Sequence, residues 1–365
     1  MQYLDLANAG VKALSPYQAG KPIEELEREL GIKNIIKLAS NENPFGLPPS
    51  AKKAIQAQLD NLHLYPDSNG FYFKQAVAEK FGLQPEQITL GNGSNDLIEL
   101  IARTFASEQD EVIYSQYGFI VYPLISQALN AKRVEIPAKN YGNDLTAFLK
   151  AISPKTKLIY LANPNNPTGT FSSAVEIADF LAQVPPQVIV ALDEAYVEFT
   201  EPRERVDSFG LLAKYPNLIV CRTLSKAYGL AGLRIGYAVS STEIAGLLNR
   251  VRHPFNCNSL ALAAATAAIQ DDEFVAKVAE NNSIGLQLLQ NFFDEKGLRY
   301  VPSKGNFVML DLQQPAAPIY QALLRKGVIV RPLAGYGLPN HLRISIGLPE
   351  ENQRFLTALS EILGI

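Results

Sequence analysis

Leu218-Ile219-Val220-Cys221-Arg222-Thr223-Leu224-Ser225-Lys226-Ala227-Tyr228-Gly229-Leu230-Ala231-Gly232-Leu233-Arg234 opens as an apolar run and breaks into a loop. The run Leu218–Cys221 reads as a short buried strand. The loop brings two hydroxyls beside a lone lysine, then small residues, then an arginine eight positions after Lys226. Burying an ammonium between apolar segments is costly unless the group is paired or neutral. A neutral, desolvated lysine attacks carbonyl carbon. A surface lysine in a Gly-rich loop is the ordinary reading of such a residue taken alone, so the neighbouring segments must decide.

Val188-Ile189-Val190-Ala191-Leu192 is the clearest buried strand and ends in Asp193-Glu194-Ala195-Tyr196. A carboxylate at the end of an apolar strand requires a cationic partner. Ile88-Thr89-Leu90 leads into Gly91-Asn92-Gly93-Ser94-Asn95-Asp96 and then an apolar-periodic helix over Leu97–Phe105. Strand, Gly-rich turn and helix start form an anion site through free N–H groups and the helix dipole. Simple capping by Ser94 or Asn95 is the alternative. The third glycine of a dinucleotide fingerprint is missing, which argues against a nicotinamide dehydrogenase. The strand Glu111–Tyr114 is followed by Tyr117, either a pocket aromatic or a core one. After a strand at Leu158–Ala162 comes Asn163-Pro164-Asn165-Asn166-Pro167-Thr168-Gly169, a rigid turn that fixes Asn amides in place. Strand and helix alternate through residues 51–255. The expected fold class is therefore α/β, with a mostly parallel sheet covered by helices on both faces. In such sheets ligands sit at the carboxyl ends of the strands, where Gly93 to Asn95, Tyr117, Asn166, Asp193, Tyr196 and Lys226 all fall.

The flanks differ in texture. Residues 1–22 begin with a weakly amphipathic stretch and pass into an extended arm over Ser15–Pro22, Ile23–Leu30 reads as a short helix closed by Gly31, and Ile35–Ala39 as a strand. The strand runs into the polar loop Ser40-Asn41-Glu42-Asn43-Pro44-Phe45-Gly46, plain turn chemistry or a pocket lining. From Asn258 on, an Ala-rich helix, a long helix and short strands suggest a separate α+β layer containing Arg331 and Arg343. The expected division is 1–50 (arm and part of a small domain), 51–257 (large domain) and 258–365 (small domain). The chain has 365 residues, with 47% hydrophobic and 19% charged residues, which suits a globular protein. A net charge of −3 gives no electrostatic case for nucleic acid or anionic membrane. The 2 cysteines and 3 histidines show no ligand spacing, so neither a disulfide framework nor a metal is expected. No signal peptide or membrane-length apolar run is read, and a cytoplasmic setting is expected.

A pyridoxal phosphate site needs a lysine for a Schiff base and an acid to keep the pyridine nitrogen protonated. It also needs donors at the ring oxygen, a stacking surface and a phosphate cradle. The chain offers Lys226; Asp193; Asn166 and Tyr196; Tyr117; and Gly93, Ser94, Asn95, Thr223, Ser225 and Arg234. The order Asn166-Pro167-Thr168-Gly169, Asp193…Tyr196, Ser225-Lys226 and Arg234 resembles the fold-type I pyridoxal phosphate aminotransferases, the class containing aspartate aminotransferase. Ser15-Pro16-Tyr17-Gln18-Ala19-Gly20-Lys21 and Leu38-Ala39-Ser40-Asn41-Glu42-Asn43-Pro44-Phe45-Gly46 are similar to the histidinol-phosphate aminotransferase subgroup, and the likeness spans essentially the whole chain.

That resemblance implies a large domain with a seven-stranded-type sheet and a smaller domain from the arm and the C-terminal part. It implies that Lys226, Asp193 and Tyr196 are catalytic, with ping-pong transfer through a Schiff base on Lys226. The exchange would run between L-glutamate/2-oxoglutarate and imidazole-acetol phosphate/L-histidinol phosphate. Arg343 would take the substrate's anionic group. Arg331 and Tyr17 would hold the substrate phosphate, with Asn43 also on the substrate side. Tyr65 would reach the cofactor phosphate of a neighbouring subunit, implying a homodimer with composite sites. Aromatic amino acid transamination on the same scaffold, elimination or decarboxylation with the same cofactor, and a non-catalytic binding protein on a retained fold remain alternatives.

Overall fold

The apolar runs around Val190 and Val220 lie side by side as parallel neighbours at the centre of a sheet. The structure, a computed structural model, describes residues 2–16 and 20–365. Its strands are β1 (Ile36–Leu38), β2 (Ile88–Gly91), β3 (Glu111–Ser115), β4 (Lys132–Ile136), β5 (Thr156–Ala162), β6 (Ile189–Asp193), β7 (Leu218–Thr223), β8 (Gly236–Val239), β9 (Arg299–Val301), β10 (Phe307–Asp311), β11 (Val328–Pro332) and β12 (His341–Ser345). Seven form one sheet in the order β2-β8-β7-β6-β5-β3-β4. All its pairings are parallel except those of β8, which is antiparallel to both β2 and β7.

The sheet is buried on both faces because its central strands are apolar through their middles, from Leu158 to Ala162, Ile189 to Leu192 and Leu218 to Cys221. Ile159, Leu161, Val190, Leu192, Leu218 and Val220 pack into one core layer. Leu158, Tyr160, Ala191, Ile219 and Cys221 pack into the opposite one. Continuous apolar strands of this kind are what a doubly covered parallel sheet demands. Each fully buried Leu or Ile contributes about 1.5–3 kcal/mol. The helix Ser94–Phe105 covers one face with Leu97, Ile98 and Ile101. On the other, the Ala-rich helix Ser259–Ala268 turns Ala261, Ala264, Ala265 and Ala268 inward. Side chains that small let a neighbouring backbone come close.

The second sheet has the order β1-β11-β12-β10-β9. β1 pairs in parallel with β11, placing Leu38 opposite Val330. The early strand is thus completed by the last part of the chain. The helices Asp272–Glu295, Ala316–Arg325 and Pro349–Leu363 cover this sheet, with Leu289, Phe293, Leu323, Phe355 and Leu359 in its core.

Most elements fall where the residue pattern places them, including Ile23–Leu30 closed by Gly31 in the left-handed region. The helix Val121–Ala128, carrying a proline in its first turn, is an element that the pattern did not suggest. No helix among the described residues is long and apolar enough to cross a membrane. Cys221 and Cys257 are buried free thiols. No group of three or more His, Cys, Asp or Glu that could hold a metal ion occurs among the described residues.

Candidate active site

The carboxyl ends of β5, β6 and β7 open into a cavity of about 290 Å³ that residues of the smaller sheet close from the other side. That approaches the size range of small-molecule sites. Lys226, just past β7, is half-buried, and its Nζ donates to the Ser40 carbonyl at 3.1 Å. Burial, with the Arg343 guanidinium next in weight, lowers its pKa from the usual lysine range to about 8. A substantial fraction of the amine is therefore neutral near physiological pH.

Asp193 closes β6 and is buried. Its Oδ2 accepts from the Tyr122 hydroxyl at 2.7 Å and its Oδ1 from the Ala195 N–H at 3.2 Å. The cationic partner expected for it is not supplied by the chain, since no ion pair to Asp193 exists among the described residues. Burial accordingly pushes its pKa up despite the two donors. Glu194, pointing the opposite way along the strand, is paired. Arg222 meets its Oε2 through Nε at 3.0 Å and Nη2 at 2.9 Å.

The loop after β2 makes a third corner. Gly93 has φ 81°, the left-handed region that favours glycine, and Arg234 Nη2 lies 2.4 Å from where a Cβ would stand. Ser94 begins the helix, and no side chain caps it. The capping alternative for Ser94 or Asn95 is therefore not what the loop does, and first-turn N–H groups are left for a ligand. Arg234, itself in the left-handed region with φ 58°, donates through Nη1 to Ser225 Oγ at 3.3 Å. Thr223 Oγ1 donates to the same hydroxyl at 2.9 Å. Ser94, Asn95, Thr223, Ser225 and Arg234 all line the cavity, a set of donors without a carboxylate among them.

On the far side Arg343 Nη1 donates to Asn166 Oδ1 at 2.5 Å and Nη2 to the Ala39 carbonyl at 2.7 Å. Arg331 lines the same end, across the β11–β12 pairing from Arg343. The Tyr196 hydroxyl accepts from Asn41 Nδ2 at 3.0 Å, and burial raises its pKa to about 12. Its ring centroid lies 5.8 Å from Lys226 Nζ.

The family model for aminotransferase class I and II matches residues 33–359. The chain belongs to that family. The aminotransferase is 79% identical over 365 residues to histidinol-phosphate aminotransferase 2 of Pasteurella multocida, covering 100% of both chains. It is 71% identical to histidinol-phosphate aminotransferase 2 of Haemophilus influenzae, covering 100% of this chain and 99% of that one. Among solved structures, the histidinol-phosphate aminotransferase of Sinorhizobium meliloti in complex with pyridoxal-5'-phosphate superposes with a TM-score of 0.89. It shares 30% identity and covers 98% of this chain and 97% of that one.

Four residues singled out from the sequence of this aminotransferase are not in the cavity wall. Tyr117 packs instead among Val301, Met309, Leu333 and Leu338, with its ring centroid 5.9 Å from that of Tyr141. Its neighbour Phe119 lines the cavity in its place. Asn43 turns toward the loop it shares with Lys226, donating to the Ala227 carbonyl at 2.9 Å. Gly93 stands behind Arg234. Tyr65 is 83% exposed and stacks on Phe255 with centroids 4.8 Å apart. Tyr17 lies outside the described residues.

Of the three asparagines in the Asn-Pro turn, Asn163 and Asn165 frame the turn itself. Asn163 exchanges two bonds with Ser172, and Asn165 bonds the Tyr117 carbonyl and Thr168. Only Asn166 reaches the cavity. Two further residues belong to the site without a sequence expectation for them, Tyr122 and Asn41, the latter bonding Ser345 through backbone and side chain as well as Tyr196. The run Ser40-Asn41-Glu42-Asn43 was the available signal for Asn41. Nothing local marks Tyr122, because its partner is 71 residues away.

Proposed function

We propose that this aminotransferase binds pyridoxal 5'-phosphate and moves an amino group from L-glutamate to imidazole-acetol phosphate, giving 2-oxoglutarate and L-histidinol phosphate. The observation that carries the reading is the sharing of one cavity by the Lys226 amine, the ionically unpaired Asp193 and the donor cluster at Ser94. These residues fit the cofactor. Asp193 lacks the cation that a ring nitrogen provides, and the uncapped helix start lacks the anion that a phosphate provides. The names of full-length relatives at 71% and 79% identity support the substrate assignment over the aromatic amino acid alternative.

When bound, the cofactor ring acts as an electron sink for the pair left on the substrate's α-carbon. The Ser94 and Asn95 N–H groups, the Thr223 and Ser225 hydroxyls and Arg234 would hold its phosphate, with Gly93 leaving the room. Asp193, kept in place by Tyr122, would retain the proton on the ring nitrogen. Asn166 and Tyr196 would donate to the ring oxygen. Lys226 would carry the cofactor through Nζ and, once displaced by the amino donor, carry the proton taken from the α-carbon. An amine with a pKa near 8 is matched to giving and taking a proton near neutrality. Arg343 would grip the substrate's anionic group with its planar fork. Arg331, together with Tyr17, would serve the substrate phosphate. Asn43 would act on the substrate side by fixing the loop that meets Lys226.

The same reading includes a homodimer in which Tyr65 reaches the neighbour's cofactor phosphate. Its exposure, beside exposed Leu59, Leu62, Leu64, Phe71 and Tyr72, supports a face that a second copy covers. It also includes a cytoplasmic setting and a division at residues 50 and 257; the two separate sheets support two domains, with the helix Ser259–Ala268 packed into the core of the larger one.

Borohydride reduction and peptide mapping should leave the cofactor's added mass on Lys226. Lys226→Ala should still bind cofactor through the phosphate cradle but lose turnover. Near-normal turnover in that variant overturns the proposal. A kcat/KM for phenylalanine above that for histidinol phosphate would replace the substrate assignment with the aromatic one.

A further inference from the structure

The charged groups of the cavity are unevenly divided. Lys226, Arg234, Arg331 and Arg343 bring positive charge to its wall. Among the described lining residues only Asp193 and Glu42 are acidic. Asp193 sits deep at the end of β6, with both oxygens already accepting from Tyr122 and Ala195. Glu42 stands at the mouth, on the loop that follows β1, and among the described residues only one of its oxygens is engaged, by Lys37 Nζ at 2.9 Å. Its charge is felt at the Lys226 amine, where it opposes the effect of burial.

The loop that carries Glu42 is fixed at several points. The Ser40 carbonyl takes the Lys226 amine, and Asn41 is tied to Ser345 and Tyr196. Asn43 is tied to Ala227. A Cβ on Gly229 would lie 2.1 Å from the Gly46 carbonyl oxygen, so the far end of the loop is clamped by direct backbone approach. The loop thus fixes the Glu42 backbone, and Lys37 steadies its carboxylate, which stays exposed to solvent.

The two substrates of the proposed reaction differ in the charge of their side chains. L-Glutamate presents a second carboxylate. Histidinol phosphate presents an imidazole, whose ring N–H is a donor and which gains a positive charge below its pKa of about 6.5. The arginines serve the anionic groups of both. None of those cations can accept a hydrogen bond.

We infer that Glu42 is a specificity-determining residue, its free carboxylate oxygen accepting the N–H of the substrate's heteroaromatic ring while Lys37 holds the other oxygen. This rests on the substrate assignment above. In this role Glu42 favours a basic or N–H-bearing ring at the mouth and disfavours a second carboxylate there. An uncharged phenyl ring gains nothing from it.

The test compares wild type with Glu42→Gln and Glu42→Ala, measuring steady-state constants for L-histidinol phosphate and L-glutamate separately, along with direct binding of each substrate. Loss of a charge-assisted bond predicts a KM for histidinol phosphate raised about tenfold or more. The KM for glutamate should be unchanged or lower, and kcat for both nearly unaltered. Glu42→Gln should recover part of the histidinol phosphate binding lost in Glu42→Ala, because an amide oxygen still accepts. Equal changes for the two substrates, or a fall in kcat for both, would make Glu42 a counter-ion of Lys226 and overturn the inference. Wild type without turnover of histidinol phosphate would instead defeat the substrate assignment.

Discussion

Asp193 and Glu194 are adjacent carboxylates, both buried, yet they belong to regions built on opposite plans. Glu194 faces a closed network. Arg222 approaches it with two nitrogens, Ser208 Oγ donates at 2.9 Å, and the guanidinium lies 4.2 Å from the Phe209 ring centroid and 5.2 Å from that of Phe81. Asp193, on the cavity side, has two neutral donors and no cation from the described residues. One face of the strand end is internally satisfied. The other leaves a charge for a ligand to neutralise. On the proposed reading, stability and binding are divided between the two sides of a single strand.

The comparison breaks most sharply at Asp193. Asp193→Asn should reduce cofactor affinity and turnover by at least about a hundredfold, the scale for losing one member of a buried charge pair. The cofactor-free protein should melt no lower than wild type, since no cation of the chain is orphaned. Titration with cofactor and calorimetry on the cofactor-free protein check the two halves. A variant that binds cofactor normally would put Asp193 outside the site.

Arg222→Met should do the reverse. Leaving Glu194 unpaired in the interior should cost about 3–5 kcal/mol of stability, read by denaturant unfolding. Cofactor affinity of the folded fraction should change far less than in Asp193→Asn. A collapse of affinity without loss of stability would mean that the two faces are not separable.

The smallest effect belongs to Glu198, a third buried carboxylate on the same segment. Its Oε2 has no hydrogen-bond partner, and burial raises its pKa to about 7. The folded state therefore holds this proton more tightly than the unfolded chain, so the contribution is present below about pH 4.5 and is lost as pH rises through about 7. Glu198→Gln should be nearly neutral at pH 5 and more stable than wild type at pH 8. Melting temperatures at the two pH values check the sign.

What could be read from the residues alone follows the range of each interaction. β6 and β7 declare themselves by unbroken apolar runs, and Asp193 and Lys226 stand out because charge at the end of such a run is anomalous. That both line one cavity follows from their places at the ends of neighbouring strands. Tyr122 was not, because a helix carrying Pro123 in its first turn has a weak local signature and the tyrosine's purpose appears only when β3 and β6 are assembled. Tyr117, by its place past a strand end, suggests a stacking surface. Its actual neighbours come from β9, β10 and the segment after β11, far along the chain. The antiparallel β8 carries the same apolar pattern as its parallel neighbours, so direction had to come from the fold.

The pairing of Leu38 with Val330 has a bearing on how the protein comes into being at the ribosome. The strand made first finds its hydrogen-bonding neighbour only when synthesis is nearly over, and such distant contacts form slowly. Until then the early segment, with Ser40, Asn41 and Glu42 attached, has no sheet to join. The larger sheet, whose strands all precede residue 240, can assemble beforehand. A nascent chain stalled before Arg331 would therefore carry its lysine and its carboxylate but could not close the chamber around them.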